Sequence, residues 1–413
     1  MNKKEYKVYK KCRFCGSKNV REVIDLGKVP LAGGFLKNKN DFKSEKKYPL
    51  VLAFCKDCYL LQNTISINPE VLFKKYFYFS SSIKTLVDHF NANANEFSKF
   101  LPKKSFVVEI GSNDGSFLKA IEKNGARILG VDPAKNVSEK AIKSGVPMIN
   151  NFFSEKIAEK IVEKYGYADL IFSSNTLAHI RDMHTVFSGI SLLLNENGKL
   201  VFEVHYLPDL IEKLQYDMIY HEHEYYYSIL ALENFLIKFG LIIYDAKKIP
   251  IHGGSIQIYA SKNIKIKRTD NLLKLISIEK KQEIDNVKTY IKFNKSINDQ
   301  KKELQKITNG FKKNKKTLMG YGASGRGTIM SNFCELSVSK MSYVIDDAPA
   351  KIGNFLPGTH QKIISSEILG TNKRPDFVIL FAWAFSEEII LKNKKYLELG
   401  GKFIVPLPFP RII

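Results

Sequence analysis

Long apolar runs are absent from this 413-residue chain, and no charged leader followed by an apolar stretch is visible. Nor is there a compact basic tract interleaved with aromatic residues, although 64 Lys and Arg against 42 Asp and Glu give a net charge of +22. Membrane-spanning helices need about 20 consecutive apolar residues, and nucleic-acid binding favours clustered basic residues. We therefore expect a cytoplasmic protein with neither a membrane nor a nucleic acid as partner. The scattered positive charge favours phosphorylated ligands in general.

Cysteine is also scarce, with five in the chain, but four of the five fall into two pairs. Cys12 with Cys15, and Cys55 with Cys58, each form a Cys-x-x-Cys knuckle. Two knuckles can place four thiolates tetrahedrally around one zinc ion, which stabilises a domain too small for a sufficient core of its own. Because four sulfur ligands leave no open coordination position, we predict a structural Zn2+. Disulfides and a thioredoxin-like redox pair are the less favoured alternatives, without an export signal or that fold.

The length predicts two or three domains, and a hydrophobic content of 44% is typical of a packed globular protein. We divide the chain into a zinc-binding module (1–70), a cofactor-binding α/β domain (71–265), a helical connector (266–316) and a second α/β domain (317–413). The connector is rich in Lys and Glu and has apolar residues at helical spacing. That pattern predicts one or two amphipathic helices.

The most informative segment is residues 107–115, an apolar strand that leads into a glycine-rich turn. A second apolar strand, residues 128–131, ends at Asp132. This order is typical of a Rossmann-type sheet, in which glycines let the backbone approach a nucleoside-bearing cofactor and the terminal acid accepts ribose hydroxyls. An ordinary turn after a buried strand is the alternative.

The spacing of this turn is not GxGxxG. Its Glu-x-Gly-Ser-x-Asp-Gly pattern resembles the first motif of class I methyltransferases, which use S-adenosylmethionine. The resemblance implies that the methionine end of the cofactor pocket is shaped by Glu109, Gly111, Asn113 and Gly115. It also implies that Asp132 holds the ribose.

A second glycine turn, residues 320–325, does match GxGxxG and follows an apolar strand. Asp346 and Asp347 supply an acid at a plausible distance, so this turn taken alone predicts an NAD(P)-dependent oxidoreductase. Ser324 and Arg326, at a helix N-terminus, could equally cradle the phosphates of a substrate. A helix start with a purely structural role is the third interpretation.

Residues 220–227 form the most polar aromatic cluster of the chain and contain two histidines. These histidines lie two residues apart, so the HExxH pattern of zinc proteases is not met. A histidine flanked by carboxylates and phenols can be held in one tautomer and serve as a general base. The alternative is an exposed polar loop or satisfied core histidines. We favour that plainer interpretation for the isolated His89, His184 and His205.

Taken in order, these motifs resemble the S-adenosylmethionine-dependent C-methyltransferases of nucleotide-linked deoxy-ketosugars over nearly the whole chain. The motifs are the two knuckles and the segments 109–115, 131–133, 175–180, 220–223, 250–255 and 320–327. The resemblance implies a class I methyltransferase Rossmann-like domain, an N-terminal zinc module and a second, C-terminal Rossmann-like domain around the sugar nucleotide. The later glycine turn would then bind substrate or simply pack.

The activity implied by this resemblance is methylation of a carbon next to the sugar ketone, by base-assisted enolate formation and in-line methyl transfer. His223 is the implied base, Tyr220 and Glu222 would orient it or the sugar, and His179 would lie beside the reacting carbon. Other implied contacts are Tyr78 or, slightly less favoured, Tyr76 at the sugar, Asn151 and Phe152 at the adenine, Asn175 at the cofactor, and His252 and Ser255 at the substrate. Alternatives are sugar O- or N-methylation on the same architecture, an NAD(P)-dependent oxidoreductase, and a protein that only binds its ligands.

Overall fold

The computed structural model describes residues 5–72 and 79–413 of the chain. Its N-terminal module contains β1 (Tyr6–Val8), β2 (Val20–Pro30), β3 (Lys47–Cys55), β4 (Leu61–Asn63), β5 (Ile65–Ile67) and the short helix α1 (Pro69–Leu72). Strands β2, β3 and β4 form an antiparallel sheet, and β1 pairs with β5. Because Val20 pairs with Cys55, the two Cys-x-x-Cys knuckles lie together at one end of the β2–β3 hairpin.

The central domain alternates strands and helices, as the sequence pattern predicts. In chain order it contains α2 (Lys84–Ser98), β6 (Phe106–Ile110), α3 (Ser116–Glu122), β7 (Arg127–Val131), α4 (Lys135–Lys143), β8 (Met148–Ile149), α5 (Glu155–Tyr165), β9 (Ala168–Ser174), α6 (Met183–Leu193), β10 (Leu194–His205), α7 (Leu207–Glu212), β11 (Tyr225–Tyr226), α8 (Ile229–Leu236), β12 (Ile242–Ile249) and β13 (Ser255–Ser261). All five residues of β6 are buried, as expected for a central strand covered by helices on both faces.

The central sheet has seven strands in the order β12-β13-β10-β9-β6-β7-β8. Strands β8, β7, β6, β9 and β10 are parallel, and β13 runs antiparallel between β10 and β12. The strand order reverses between β6 and β9. In open α/β sheets, ligands bind at the carboxyl ends of the strands beside such a reversal.

Two helices, α9 (Asp270–Lys281) and α10 (Val287–Lys313), connect the central domain to the C-terminal domain. That last domain contains β14 (Leu318–Tyr321), α11 (Gly325–Phe333), β15 (Tyr343–Ile345), β16 (Lys362–Ile364), β17 (Phe377–Leu380), α12 (Ser386–Lys392), α13 (Lys394–Glu398), β18 (Lys402–Val405) and β19 (Arg411–Ile412). Its sheet order is β16-β15-β14-β17-β18-β19, and the first five strands are parallel. Within the described residues, we find no helix with the length and apolar character needed to span a membrane.

The domains interlock instead of following one another as separate units. Helix α10 buries Tyr290, Phe293 and Leu304 in one apolar cluster with residues of the N-terminal sheet and the C-terminal domain. Strand β11 comes from the central domain but extends the N-terminal sheet, because Tyr225 and Tyr226 pair with β4. The domain boundaries at residues 70, 265 and 316 therefore stay predictions.

Candidate active site

The glycine turn after β6 has two positions that require glycine. Gly111 has φ +73°, and a Cβ atom there would lie 2.1 Å from the Thr176 hydroxyl. Gly115 has φ +77°, and a Cβ atom would lie 2.9 Å from a methyl group of Val146. Side chains rarely adopt this backbone conformation, and here they would also collide. The turn is therefore built on glycine at both positions where the sequence motif has it.

Asp132 ends β7 next to this turn and is buried. Its carboxylate accepts the backbone N–H of Asn113 at 3.0 Å and of Ala134 at 2.9 Å. Burial raises the pKa of Asp132, while the two amides act in the opposite direction. The carboxylate keeps lone pairs for ribose hydroxyls, since each oxygen accepts only one of these bonds.

Two buried oxygen atoms near the turn have no hydrogen-bond partner within residues 5–72 and 79–413. They are Oε2 of Glu109 on β6 and Oδ1 of Asn175, which directly follows β9. Burial raises the pKa of Glu109 well above its ordinary value, and the nearby Asp132 and Glu203 add to the effect. Buried polar atoms normally have partners. A ligand with cationic N–H donors, such as the α-ammonium of S-adenosylmethionine, fits these acceptors.

The residues expected beside the adenine follow β8. Asn151 and Phe152 are both exposed, and Phe152 has 57% of its surface accessible. An exposed aromatic ring directly after β8, an edge strand of the central sheet, offers an apolar face to a base. The structure thus leaves both side chains accessible for the predicted contact.

His223 is held in one tautomer. Its Nδ1 lies 2.8 Å from the carbonyl oxygen of Met218, which can only accept, so Nδ1 carries the hydrogen and Nε2 does not. The ring is buried, and it lies against the Tyr220 ring with centroids 3.9 Å apart. Burial, with the nearby His179, lowers the pKa of His223 well below its ordinary value. A buried neutral imidazole with an unprotonated Nε2 is suited to accept a proton.

His179 lies next to this base, with its ring centroid 5.1 Å from that of His223. Its Nδ1 donates to the backbone carbonyl of Glu222 at 2.8 Å, and burial lowers its pKa. The Glu222 carboxylate does not orient His223, which was one of its two expected roles, and its expected role at the sugar stays a prediction. It is directed toward the loop of Gly33 in the N-terminal module, and no bond to His223 is found for it. Glu222 therefore orients a histidine through its backbone, and burial raises the pKa of its side chain.

Sequence reasoning missed His205, the last residue of β10. Its ring centroid lies 4.9 Å from that of His223 and 5.9 Å from that of His252. Burial lowers the pKa of His205 well below its ordinary value, and that of His252 to about 4. The available signal was its position, because the carboxyl end of a parallel strand beside the base is where ligands bind.

Three residues that were predicted to contact the substrate are bound by other residues of the protein instead. Ser255 is fully buried and donates to the carbonyl of Ile251, so it supports the turn that carries His252. Ser324 caps helix α11 by accepting the amide of Gly327. The expected phosphate contact of Arg326 needs correction as well.

The guanidinium of Arg326 is directed to the fully buried Asp217, with Nε–Oδ2 at 2.7 Å and Nη2–Oδ1 at 3.2 Å. Its remaining Nη1 lies 3.5 Å from the carbonyl of His252. Trp383 donates to the same carboxylate at 2.8 Å. Arg326 therefore joins the C-terminal domain to the histidine cluster instead of presenting a free fork to a phosphate. Tyr76 and Tyr78 lie outside the described residues, so their expected roles stay predictions.

The second glycine turn is filled by the protein itself. Gly322 has φ +100°, and a Cβ atom would lie 2.9 Å from Cβ of Ala382. Ala32 of the N-terminal module packs against the start of α11, where a Cβ atom on Gly325 would lie 3.2 Å from Cβ of Ala32. The carbonyl of Ala32 also accepts a hydrogen bond from the Thr328 hydroxyl. This packing disfavours a dinucleotide pyrophosphate at the helix N-terminus.

The four paired cysteines meet in space. One sulfur from each lies within 4.8 Å of all the others, and the pairs Cys12–Cys58 and Cys15–Cys55 are 3.4 and 3.5 Å apart. Four thiolates at a Zn–S distance of about 2.3 Å stand about 3.8 Å apart in a tetrahedron. The cluster therefore fits one zinc ion with all four positions taken by sulfur.

The sheet order, the glycine turn and the acid after β7 define a class I, S-adenosylmethionine-dependent methyltransferase fold, as predicted. Models of three protein families match the chain: a C-methyltransferase C-terminal domain over residues 250–408, a zinc binding domain over 12–73 and a methyltransferase domain over 86–245. C-methyltransferase NovU of Streptomyces niveus is 33% identical over 405 residues, which are 97% of this chain and 96% of that protein. The chain belongs to this family of C-methyltransferases with an N-terminal zinc-binding domain.

Solved structures similar to the chain include the PH0226 protein of Pyrococcus horikoshii OT3, with 15% identity and a TM-score of 0.38 over 46% of this chain and 98% of that chain. Another is an S-adenosylmethionine-dependent methyltransferase of Mesorhizobium loti, with 15% identity and a TM-score of 0.33 over 42% and 99%.

Proposed function

We propose that the protein transfers a methyl group from S-adenosylmethionine to a carbon next to the ketone of a nucleotide-linked deoxysugar. The observation that carries this proposal is the buried His223, whose Nδ1 is bound to a carbonyl so that Nε2 is the basic nitrogen. Such a base is required for carbon acids, because the hydrogen next to a ketone must be removed before the carbon becomes nucleophilic.

The residues divide the work as follows. Nε2 of His223 takes the proton from the carbon beside the carbonyl, and burial favours the neutral imidazole to which the base must return. His179 and Tyr220, whose ring centroids lie 5.1 and 3.9 Å from that of His223, serve the developing enolate oxygen. Exclusion of water by the buried cluster strengthens these interactions.

The cofactor site has its own residues. The Gly111–Gly115 turn, together with Glu109 and Asn175, would hold the methionine end of S-adenosylmethionine, and Asp132 and Phe152 would hold its nucleoside. When bound, the cofactor supplies a methyl group on a sulfonium, which is already a good leaving group. The chain therefore has to supply mainly the carbanion.

The zinc ion has a structural role in this proposal. All four ligands would be sulfurs, so no position remains for substrate or water. The fit of Cys12, Cys15, Cys55 and Cys58 to a tetrahedron supports this assignment.

The test supplies methyl-13C-labelled S-adenosylmethionine and nucleoside diphosphate 4-keto-deoxysugars to the zinc-loaded enzyme. We expect a carbon-bound 13C methyl group in the product by NMR. In D2O we also expect exchange of the hydrogen next to the ketone, and both signals should be lost in His223→Gln. A methyl group on oxygen or nitrogen would move the assignment to the alternative sugar methyltransferases. Neither methylation nor exchange with any ketosugar would contradict the proposal.

A further inference from the structure

The first cysteine knuckle carries a buried arginine. Arg13 lies between Cys12 and Cys15, and its Nη1 is 2.5 Å from Oε2 of Glu224, with both side chains at most 4% exposed. Its Nη2 donates to the carbonyl of Arg181 at 2.8 Å. An ion pair this deeply buried needs close geometry and further hydrogen bonds to offset desolvation. The knuckle thus fixes one end of the pair.

The guanidinium is also held by aromatic packing. It lies between two aromatic rings, 4.3 Å from the centroid of Tyr9 and 4.5 Å from that of Tyr225. The neighbouring Phe14 stacks on Phe235 of the central domain with centroids 3.8 Å apart. The knuckle therefore packs directly against the methyltransferase domain.

Glu224, the partner of Arg13, directly follows the proposed base. Its second carboxylate oxygen accepts from Ser66 at 2.5 Å, so the N-terminal module binds both oxygens. Its backbone N–H donates to the carbonyl of Ala178 at 2.7 Å, immediately before His179. The orientation of Glu224 is thus connected to both histidines of the site.

The rest of the base-bearing segment is also held by the N-terminal module. Asn63 donates from its side chain to the carbonyls of His223 at 2.7 Å and Tyr220 at 3.2 Å. Its backbone N–H donates to the carbonyl of Glu224 at 3.0 Å. Strand β11 then pairs with β4. The N-terminal module, which contains the cysteine cluster, therefore holds residues 220–226 through hydrogen bonds to their backbone.

We infer that Arg13 is a positioning residue for the base: the cysteine knuckle fixes its guanidinium, the guanidinium fixes Glu224, and Glu224 fixes the backbone segment that carries His223. The zinc module then contributes to turnover as well as to stability. This inference rests on the proposed role of His223.

The test compares the wild-type enzyme with the double variant Arg13→Met/Glu224→Gln. A single substitution leaves a charge buried without its partner and can prevent folding, whereas removal of both charges is tolerated far better. We expect the double variant to keep its zinc content and its affinity for S-adenosylhomocysteine. Its kcat should fall about 100-fold, the loss expected for a displacement of about 1 Å at a reacting group. Its KM should change much less.

A second readout separates positioning from a general loss of stability. Histidine ring signals from 13C-labelled enzyme, titrated with pH, should report a displaced and more solvated His223 whose pKa moves up toward 6.5. The matched control is Glu45→Gln, which removes the negative charge from the 2.8 Å contact between Glu45 and His360. That contact joins the same module to the C-terminal domain without touching residues 220–226. We expect kcat and the His223 signal of this control to be unchanged.

Wild-type kcat and an unmoved His223 signal in a folded double variant would overturn the inference. A fall in kcat of the same size in Glu45→Gln would also overturn it, because any loosening of the module would then suffice. If the wild-type enzyme turns over no ketosugar, the proposed function fails. The histidine titration still decides the inference in that case, because it needs no substrate.

Discussion

The glycine turn after β6 and the glycine turn after β14 stand at corresponding places in two Rossmann-like sheets, but their surroundings differ. Beside the first turn, the buried carboxylate of Glu109 has an oxygen without a partner in the described parts of the chain. Beside the second turn, the close approach that glycine permits is used by Ala382 and Ala32. The second turn matches the dinucleotide pattern better, yet the first one has unfilled acceptors. Unsatisfied polar atoms are thus a better indication of a ligand here than the motif.

The acids at the strand ends sharpen this comparison. Asp132 and Asp346 each accept the backbone N–H two residues ahead, at 2.9 and 2.8 Å. Asp346 is also bound by Lys351, and the adjacent Asp347 by Tyr321 and Lys392. Among residues 5–72 and 79–413, the donors found for the Asp132 carboxylate are the backbone N–H groups of Asn113 and Ala134, and no basic side chain is bound to it. The surroundings of Asp132 therefore favour a ligand, whereas those of Asp346 and Asp347 favour internal packing.

The largest effect is expected on kcat, and it should arise from His223 and not from His360 in the C-terminal half. His223→Gln removes the proposed base and should lower kcat about 1,000-fold, within the usual range for loss of a general base. His360→Gln in the C-terminal half, where the imidazole contacts Glu45, should leave kcat within about twofold. Steady-state kinetics with calorimetry of S-adenosylhomocysteine would check this, since the affinity should be unchanged in both. Full activity of His223→Gln would remove His223 from the mechanism.

A smaller effect is expected at the acids that follow corresponding strands of the two sheets, Asp132 and Asp346. Asp132→Ala removes an acceptor for ribose hydroxyls and should weaken S-adenosylhomocysteine about 10- to 100-fold, since hydrogen bonds to charged groups contribute about 1.5–3 kcal/mol. Asp346→Ala is the matched control and should not change this affinity. Calorimetric titration of both variants measures the difference. Equal weakening in the two would mean that the sheets do not differ in the way described.

The next smaller effect is expected in the pH dependence of cofactor binding. Because the pKa of buried Glu109 is raised, its contribution to the free energy of unfolding is present below pH 4.5 and is lost as the pH rises through the raised value. A cationic α-ammonium favours the ionised carboxylate, so affinity for S-adenosylhomocysteine should rise with pH over the same window. Glu109→Gln should flatten that slope. Titration calorimetry across this window would show it, and an unchanged slope in the variant would assign the pH dependence elsewhere.

The smallest effect on ligand binding is expected at the second turn. Gly322→Ala forces a Cβ against Ala382 and should lower the free energy of unfolding by about 1–3 kcal/mol, the usual cost of overpacking. Affinity for S-adenosylhomocysteine should stay the same. Chemical denaturation and calorimetry measure the two quantities. Loss of cofactor binding without loss of stability would show that this turn does contact the cofactor.

Much of this arrangement follows from local sequence. The sequence pattern of residues 107–132 predicts the strand, the glycine turn and the acid that the structure contains. The spacing of the four paired cysteines predicts that their sulfur atoms meet. The contacts of Arg326 could not be predicted, because its partner Asp217 lies 109 residues away in the sequence. The same holds for β11, a two-residue strand whose pairing with β4 becomes visible only in the folded chain. His205 was missed because its position at the carboxyl end of a strand becomes informative only once His223 and His252 are placed beside it.

We expect the first glycine turn, and not the second, to bind the cofactor. The most direct test of this expectation is titration calorimetry of the zinc-loaded protein with S-adenosylhomocysteine and, separately, with NAD and NADP. We predict saturable binding of one S-adenosylhomocysteine per chain, which Asp132→Ala weakens, and no binding heat with either dinucleotide. Saturable dinucleotide binding without S-adenosylhomocysteine binding would contradict the account and move the cofactor site to residues 320–325.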